Sequence, residues 1–208
     1  MIIGITGTMG AGKGAVVDYL MQKHDYGHAS ARTFLTAEVK RRGMPVVRES
    51  MRFVADDFRK NYQPTNGYIM LGLLKEAEEL IAGSGPDGKK HPGAVIESIR
   101  TIPEIETLRA ARADDFIFWA VDANQQMRYE RIVKRGSETD NVTFEEFVAA
   151  EERESITGEK EPWRGNLPGC IAAADITVKN EGTLEELHAA IEKALQQSEQ
   201  IIASRSKM

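Results

Sequence analysis

The first sixteen residues, "MIIGITGTMGAGKGAV", constrain the fold more than any other stretch of the chain. Residues 1–6 form a short, nearly continuous apolar run rich in Ile, the pattern of a strand buried on both faces. Glycines follow, and Lys13 opens a run, "KGAVVDYLMQKH", that places Val17, Leu20, Met21 and His24 at helical spacing. Strand, G-x-x-x-x-G-K and helix together describe a phosphate-cradling loop. Its glycines let the backbone wind tightly enough to aim several N–H groups at one anion. The helix N-terminus adds its positive end, and Lys13 reaches the terminal phosphates. A glycine-rich turn of a dinucleotide-binding fold is the alternative. It requires an acidic residue at the following strand end, which is absent, and it does not call for a lysine at 13. Gly7, Thr8, Met9, Gly10, Ala11, Gly12, Lys13, Gly14 and Ala15 are therefore read as binding a nucleoside triphosphate.

One element of that loop is missing. Gly14 and Ala15 stand where Ser or Thr would hold magnesium. Magnesium keeps several waters and takes few protein ligands, so a carboxylate that anchors one of those waters can replace the hydroxyl. Glu97, at the end of the strand-like "AVIES" (94–98), is the residue expected to hold Mg²⁺ through water. The other reading of Glu97 is a strand-end salt bridge.

Further along, "DFIFWAV" (115–121) and "DITVK" (175–179) read as strands, and "TLEELHAAIEKALQQ" as a closing amphipathic helix. Strands separated by helices imply right-handed crossovers and a mostly parallel sheet. Helices are expected over about 30–42, 47–61 and 66–82. They form an acceptor-side insertion (about 29–92) in a core of 1–28, 93–134 and 170–208. A charged excursion, about 135–169, is expected to act as a lid.

With 208 residues the chain can bury a full core as one domain. Its net charge of -5 argues against a surface built to neutralise a nucleic-acid polymer. No apolar run is long enough to span a bilayer, the phosphate loop leaves no room for a cleavable leader, and Cys170 alone cannot form an intrachain disulfide. A cytoplasmic protein with no membrane partner is expected.

"GITGTMGAGKGAV" resembles the phosphate loop of nucleoside monophosphate kinases, in which Gly also follows the lysine. "ESIR", "RYERIVKRG" and "AADITVKNEGTLEEL" are similar to segments of dephospho-CoA kinase and of dephospho-CoA-kinase-like proteins, in the same order. The resemblance implies a three-layer α/β P-loop NTPase fold with a helical acceptor region and a lid. It implies an ATP-dependent kinase that uses Mg²⁺ and phosphorylates a nucleoside monophosphate or related small nucleotide. Asn180 and Gly182 of "NEGT" would lie near the nucleotide base. The segment "GHASARTFL" departs from both groups, since neither the aspartate pair of dephospho-CoA kinase nor the aspartate of adenylate kinase occurs there. A dephospho-CoA-kinase-like enzyme, or a nucleotide-binding regulatory protein with little phosphotransfer, remains an alternative.

Phosphoryl transfer is catalysed by positioning and by cations that stabilise charge on the moving group. Arg128, Arg131 and Arg135 recur at i, i+3 and i+7. The resemblance makes Arg131 and Arg135, with Arg153 from the lid, grip the donor phosphates alongside Lys13; a solvated helix face paired with Glu130 or Glu152 is the other reading. Arg48, Arg52 and Arg59 share a face beside Met51, Val54, Ala55 and Phe58, forming either a receptor for the acceptor's phosphate or a salt-bridged surface. Arg32, Arg59 and Arg100 are the residues expected at the acceptor. His28 reads as structural.

Overall fold

The computed structural model describes residues 1–63, 66–136, 143–155, 163 and 165–205, apart from the side chains of residues 48, 150 and 153–155. In chain order the elements are β1 (Ile2–Gly7), α1 (Lys13–His24), β2 (Gly27–Ser30), α2 (Ala31–Arg41), α3 (Arg48–Asn61), α4 (Tyr68–Ala82) and β3 (Ala94–Glu97). Then come α5 (Ile102–Ala111), β4 (Phe116–Asp122), α6 (Gln125–Arg135), α7 (Phe144–Ser155), α8 (Leu167–Ala172), β5 (Ile176–Lys179) and α9 (Leu184–Arg205).

The five strands form one wholly parallel sheet in the order β2-β3-β1-β4-β5. β1 is central, so the loop that leaves it emerges at the middle of the sheet's C-terminal edge. A parallel sheet covered on both faces needs apolar residues pointing both ways. Alternate residues accordingly supply two separate cores. Ile2, Ile96, Phe116 and Phe118 join the α3–α5 and α8 side. Ile3, Ile5, Ile117, Trp119 and Val121 join Val16, Val17 and Leu20 of α1 and Leu187 and Ile191 of α9. The Trp119 indole, fully buried on β4, donates to Ser198 Oγ on α9 at 2.9 Å, and the Ser198 hydroxyl donates to the Ala194 carbonyl. No buried donor is left over in that contact.

Two details differ from the sequence reading. Residues 29 and 30 belong to the sheet and not to the helical insertion. β2 pairs in parallel with β3, Gly27 opposite Ala94 and Ser30 opposite Glu97. Gly27 and Ala29 are small because α4 packs over them, Gly27 against Leu80 and Ala29 in the same cluster as Leu73 and Ala77. In α1 the face toward the sheet is Val16, Val17 and Leu20, while Met21 is 40% exposed and His24 bonds Glu192 of α9. The helices α2–α4 lie where the periodicity put them. Of the lid expected at 135–169, residues 137–142, 156–162 and 164 lie outside the described residues.

Candidate functional site

The site is built around the turn from β1 into α1. Gly10 and Gly12 have φ of 79° and 97°, a region where a side chain costs about 1–2 kcal/mol. Space forbids a side chain as well: a Cβ on Gly10 would lie 2.5 Å from the Arg128 carbonyl oxygen, and one on Gly12 would lie 2.1 Å from Asn180 Nδ2. The loop is therefore pressed against α6 on one side and against the end of β5 on the other. Gly7 ends β1 opposite Val121.

Both flanking residues hold loop carbonyls. Arg128 Nη1 donates to Met9 O at 3.3 Å, and Asn180 Nδ2 donates to Ala11 O at 2.8 Å. In a planar trans peptide the C=O and the next N–H point in opposite directions. Fixing these two carbonyls thus turns the N–H groups of Gly10 and Gly12 away from Arg128 and Asn180. Lys13 Nζ lies across the loop, 2.7 Å from Gly7 O and 3.0 Å from Thr8 O. An ammonium folded onto backbone carbonyls is held near the anion position and can exchange those contacts for phosphate oxygens.

Asn180 is itself anchored. Its N–H donates to Asp122 O at 2.8 Å, and Arg131 Nη2 donates to its carbonyl at 2.9 Å and to its Oδ1 at 3.3 Å. The other nitrogen of that fork, Arg131 Nη1, is buried without a hydrogen-bond partner in the protein, as is Thr8 Oγ1 of the loop. Buried polar atoms without partners mark places where a ligand or water completes the hydrogen bonding.

β3 brings Glu97 to the same edge, in register with Ile5 of β1 and Ser30 of β2. Ser30 Oγ donates to Glu97 Oε1 at 3.2 Å, and His28 Nε2 lies 3.4 Å from that oxygen, at ion-pair distance but too poorly aligned for a hydrogen bond. The imidazole of His28 is the largest influence holding the Glu97 carboxyl below its usual range. Burial opposes it, and Ser30 and the charge of Lys13 reinforce it. Glu97 is therefore an ionised carboxylate at the same sheet edge as the phosphate loop, held by partners on β2. The next residue, Ser98, has φ of 66°, sparsely populated for a residue with a Cβ. That turn folds the chain back across β1, where Thr6 Oγ1 donates to Ile99 O at 2.8 Å.

At Gly14 a Cβ would meet nothing within 4 Å. No packing constraint accounts for the missing hydroxyl. Ala15 is half-buried against the α1–α9 core, and so its side chain serves packing.

The remaining predicted residues fare differently. Arg135 is exposed at the end of α6, the side chain of Arg153 lies outside the described residues, and Gly182 is exposed ahead of the Thr183–Glu186 pair that caps α9. Arg32 is exposed on α2. Arg100 is half-buried; its N–H donates to Glu104 Oε2 and its carbonyl accepts from Asn166 N. Arg59 is a correction. It is 7% exposed, donates through Nε to the fully buried Glu104 at 2.8 Å and pairs with Asp56 at 3.5 Å. Burial works against its charge and Glu104 more than offsets that, so its pKa is raised. A guanidinium held this way braces α3 against α5 and is not available to an acceptor phosphate. The signal was legible in "TIPE", where Thr101 and Glu104 form a capping box.

Sequence reasoning also gave Arg128 too little weight. It is 7% exposed, donates through Nε to Ala123 O, reaches Met9, and forms an ion pair with Glu151 of α7.

A glycine-rich loop closed by Lys13 at the centre of a parallel sheet defines a P-loop protein. An AAA domain family model matches residues 3–157. A UPF0200 protein of Thermococcus sibiricus is 31% identical over 194 residues, 93% of each chain, and one from Methanocaldococcus jannaschii is 27% identical over 95% of this chain and 90% of its own. The chain belongs to the UPF0200 family, within the AAA domain group. Among solved structures, TT1252 from Thermus thermophilus superposes with a TM-score of 0.54 at 20% identity, covering 95% of this chain and 97% of that one. Shikimate kinase from Aquifex aeolicus gives 0.51 at 17% identity, with the same coverages. These two likenesses establish the fold. Among the described residues, no helix is long and apolar enough to cross a membrane.

Proposed function

We propose that the protein is an ATP-dependent phosphotransferase that moves the γ-phosphoryl group of ATP to a nucleoside monophosphate or a related small nucleotide. The observation that carries this reading is the convergence on one loop of Lys13, the two glycines closed in by Arg128 and Asn180, and the ionised Glu97. Such a loop binds phosphate through backbone N–H groups, the start of α1 and one mobile cation. Lys13, Arg131 and Arg135, with Arg153, supply positive charge to the transferring group. Arg131 does so with the nitrogen that Asn180 leaves unpartnered.

The donor set also suits magnesium. Glu97 and the hydroxyl of Thr8 are hard oxygen groups, and among the described residues no three His, Cys, Asp or Glu side chains cluster as a metal cage. A water-rich ion anchored by one carboxylate matches that inventory. Glu97 would hold such an ion through water, and the ion would supply positive charge against the phosphates of ATP. The chain's own contribution is orientation: Ser30 and His28 fix the carboxylate at the sheet edge that carries the loop, and Ser98 turns the backbone away. On the acceptor side, Arg32 and Arg100 remain the residues proposed to hold the acceptor's phosphate. Asn180 and Gly182 flank the base, and the lid excludes water from the transfer.

The open position at Gly14 favours one second reading, a nucleotide-binding regulatory protein with little phosphotransfer. The two readings separate on acceptor-dependent ADP release from Mg-ATP with ribo- and deoxynucleoside monophosphates and dephospho-CoA. Stimulation by one acceptor establishes the kinase. Binding of ATP with no stimulation by any of them supports the regulatory reading. Lys13→Ala removes the cation from the loop and is expected to abolish ATP binding; unchanged affinity and turnover would overturn the phosphate-loop reading itself.

A further inference from the structure

We propose that Arg128 is a positioning residue that relays occupancy of the phosphate loop to α7, so that nucleotide binding tightens this helix onto the body. The inference rests on the nucleotide-binding reading of the loop and goes beyond it. Arg128 lies in the first turn of α6, and its guanidinium has three attachments. Nε donates to Ala123 O at 2.9 Å, which fixes the group to the end of β4. Nη1 serves both Met9 O of the loop, at 3.3 Å, and the Glu151 carboxylate of α7. The other oxygen of Glu151 accepts from Gln125 Nε2 at 3.0 Å. One nitrogen therefore stands between the loop and a helix 23 residues further along the chain.

α7 docks on α6 beside this contact. Phe147 is its one fully buried aromatic; it packs on Tyr129 of α6 with ring centres 5.7 Å apart, and the Arg128 guanidinium lies 5.6 Å from the centre of its ring. Phe144 adds an edge-on contact to Tyr129 at 5.2 Å. The docking surface is thus three mutually packed rings, with Phe147 against the Arg128 guanidinium and Glu151 as the counter-charge.

The relay follows from the chemistry of a single peptide group. Met9 C=O and Gly10 N–H belong to the same amide. An N–H that donates to an anionic phosphate polarises its amide and makes the carbonyl oxygen a stronger acceptor. That oxygen is the one Arg128 holds. A firmer Met9–Arg128 bond immobilises the guanidinium, and with it Glu151 and the face of α7 that Phe147 anchors. Strengthening one charge-assisted bond by a fraction of its worth changes a local opening equilibrium by about two- to fivefold. Gly10 cannot be replaced in this arrangement, because the loop lies against the Arg128 backbone.

The test is hydrogen exchange followed by mass spectrometry on the full chain, with and without the β,γ-imido analogue of ATP. Affinity for the analogue is measured in parallel by calorimetry. In the wild type, amides within residues 144–152 are expected to exchange about two- to fivefold more slowly with nucleotide. Glu151→Gln keeps the shape but removes the counter-charge. It is expected to lose most of that difference while binding the nucleotide within about threefold of the wild-type affinity. Glu151→Asp keeps the charge but withdraws it by one methylene from Arg128, and should behave the same way if Glu151→Gln fails to fold. Full nucleotide-dependent protection in both variants overturns the relay, as does a wild type that binds nucleotide with no change in α7. A wild type that binds no nucleotide overturns the relay together with the reading beneath it.

Discussion

The contact between Gly12 and Asn180 gives a prediction whose size follows from the structure. Gly12→Ala imposes a left-handed backbone on a residue with a Cβ, at about 1–2 kcal/mol. It also sets a methyl group 2.1 Å from Asn180 Nδ2, so the amide must move. Moving it breaks the 2.8 Å bond to Ala11 O, a buried bond whose loss costs about 1–3 kcal/mol. The single substitution is thus expected to destabilise the fold by about 2–5 kcal/mol. Asn180→Ala removes the same bond, together with the 3.3 Å contact from Arg131 that moving the amide also disturbs, costing about 1–3 kcal/mol. In the double variant the clash no longer exists and the bond can be lost only once. The expected total is therefore again about 2–5 kcal/mol, short of the sum of the single costs by about 1–3 kcal/mol. Urea unfolding of the four proteins at a common m-value measures this cycle. Additivity to within about 0.5 kcal/mol would show that Asn180 does not close the loop over Gly12, and would refute the geometry on which the site rests.

Three further outcomes are expected. Gly14→Ser meets no steric obstacle and replaces glycine in the first turn of α1, so it should raise the urea midpoint by the equivalent of about 0.5 kcal/mol. In the kinase reading it also lowers the Mg²⁺ concentration needed for ATP-dependent turnover; a lowered midpoint would show that the space is filled. Glu104→Gln strips a fully buried counter-charge from Arg59 and should cost about 3–5 kcal/mol, read as a lost or much lower thermal transition. The pKa of His91 is raised, first by its bond to Asp87 and then by the Asp25 carbonyl. A raised folded-state pKa gives stability that is complete below the unfolded value near 6.5 and lost as pH rises through the folded value. Wild-type stability should therefore fall between pH 6 and the alkaline side by more than that of His91→Gln, and equal pH slopes would remove His91 from the account.

How far these features were legible in the sequence depended on how local their causes are. β1, the glycine loop and α1 were readable because apolar run, turn and helix start follow one another within sixteen residues. The boundaries of α2–α4 were readable from periodicity alone. β2 was not, because "GHAS" has neither an apolar run nor β-branched residues. Its strand character comes from pairing with β3, more than sixty residues away. Arg59 looked like an acceptor ligand because one helix face was all the sequence displayed; its partner, Glu104, lies 45 residues further on. Arg128 was undervalued for the same reason, since its link to Met9 spans 119 residues. Asn180 was placed through a resemblance, and the structure shows the hydrogen bond that fixes it against the loop.

The placement of the chain's two tryptophans has an optical consequence. Trp119 is sealed between β4 and α9, so its fluorescence is blue-shifted and changes only when the whole sheet comes apart. Trp163 is half-buried, with the Lys60 ammonium 5.2 Å from the centre of its ring, and its emission reports that contact with α3. With Trp163→Phe as the reference for the first signal, unlabelled protein reports global unfolding and the Lys60–Trp163 contact in one cuvette, at two wavelengths.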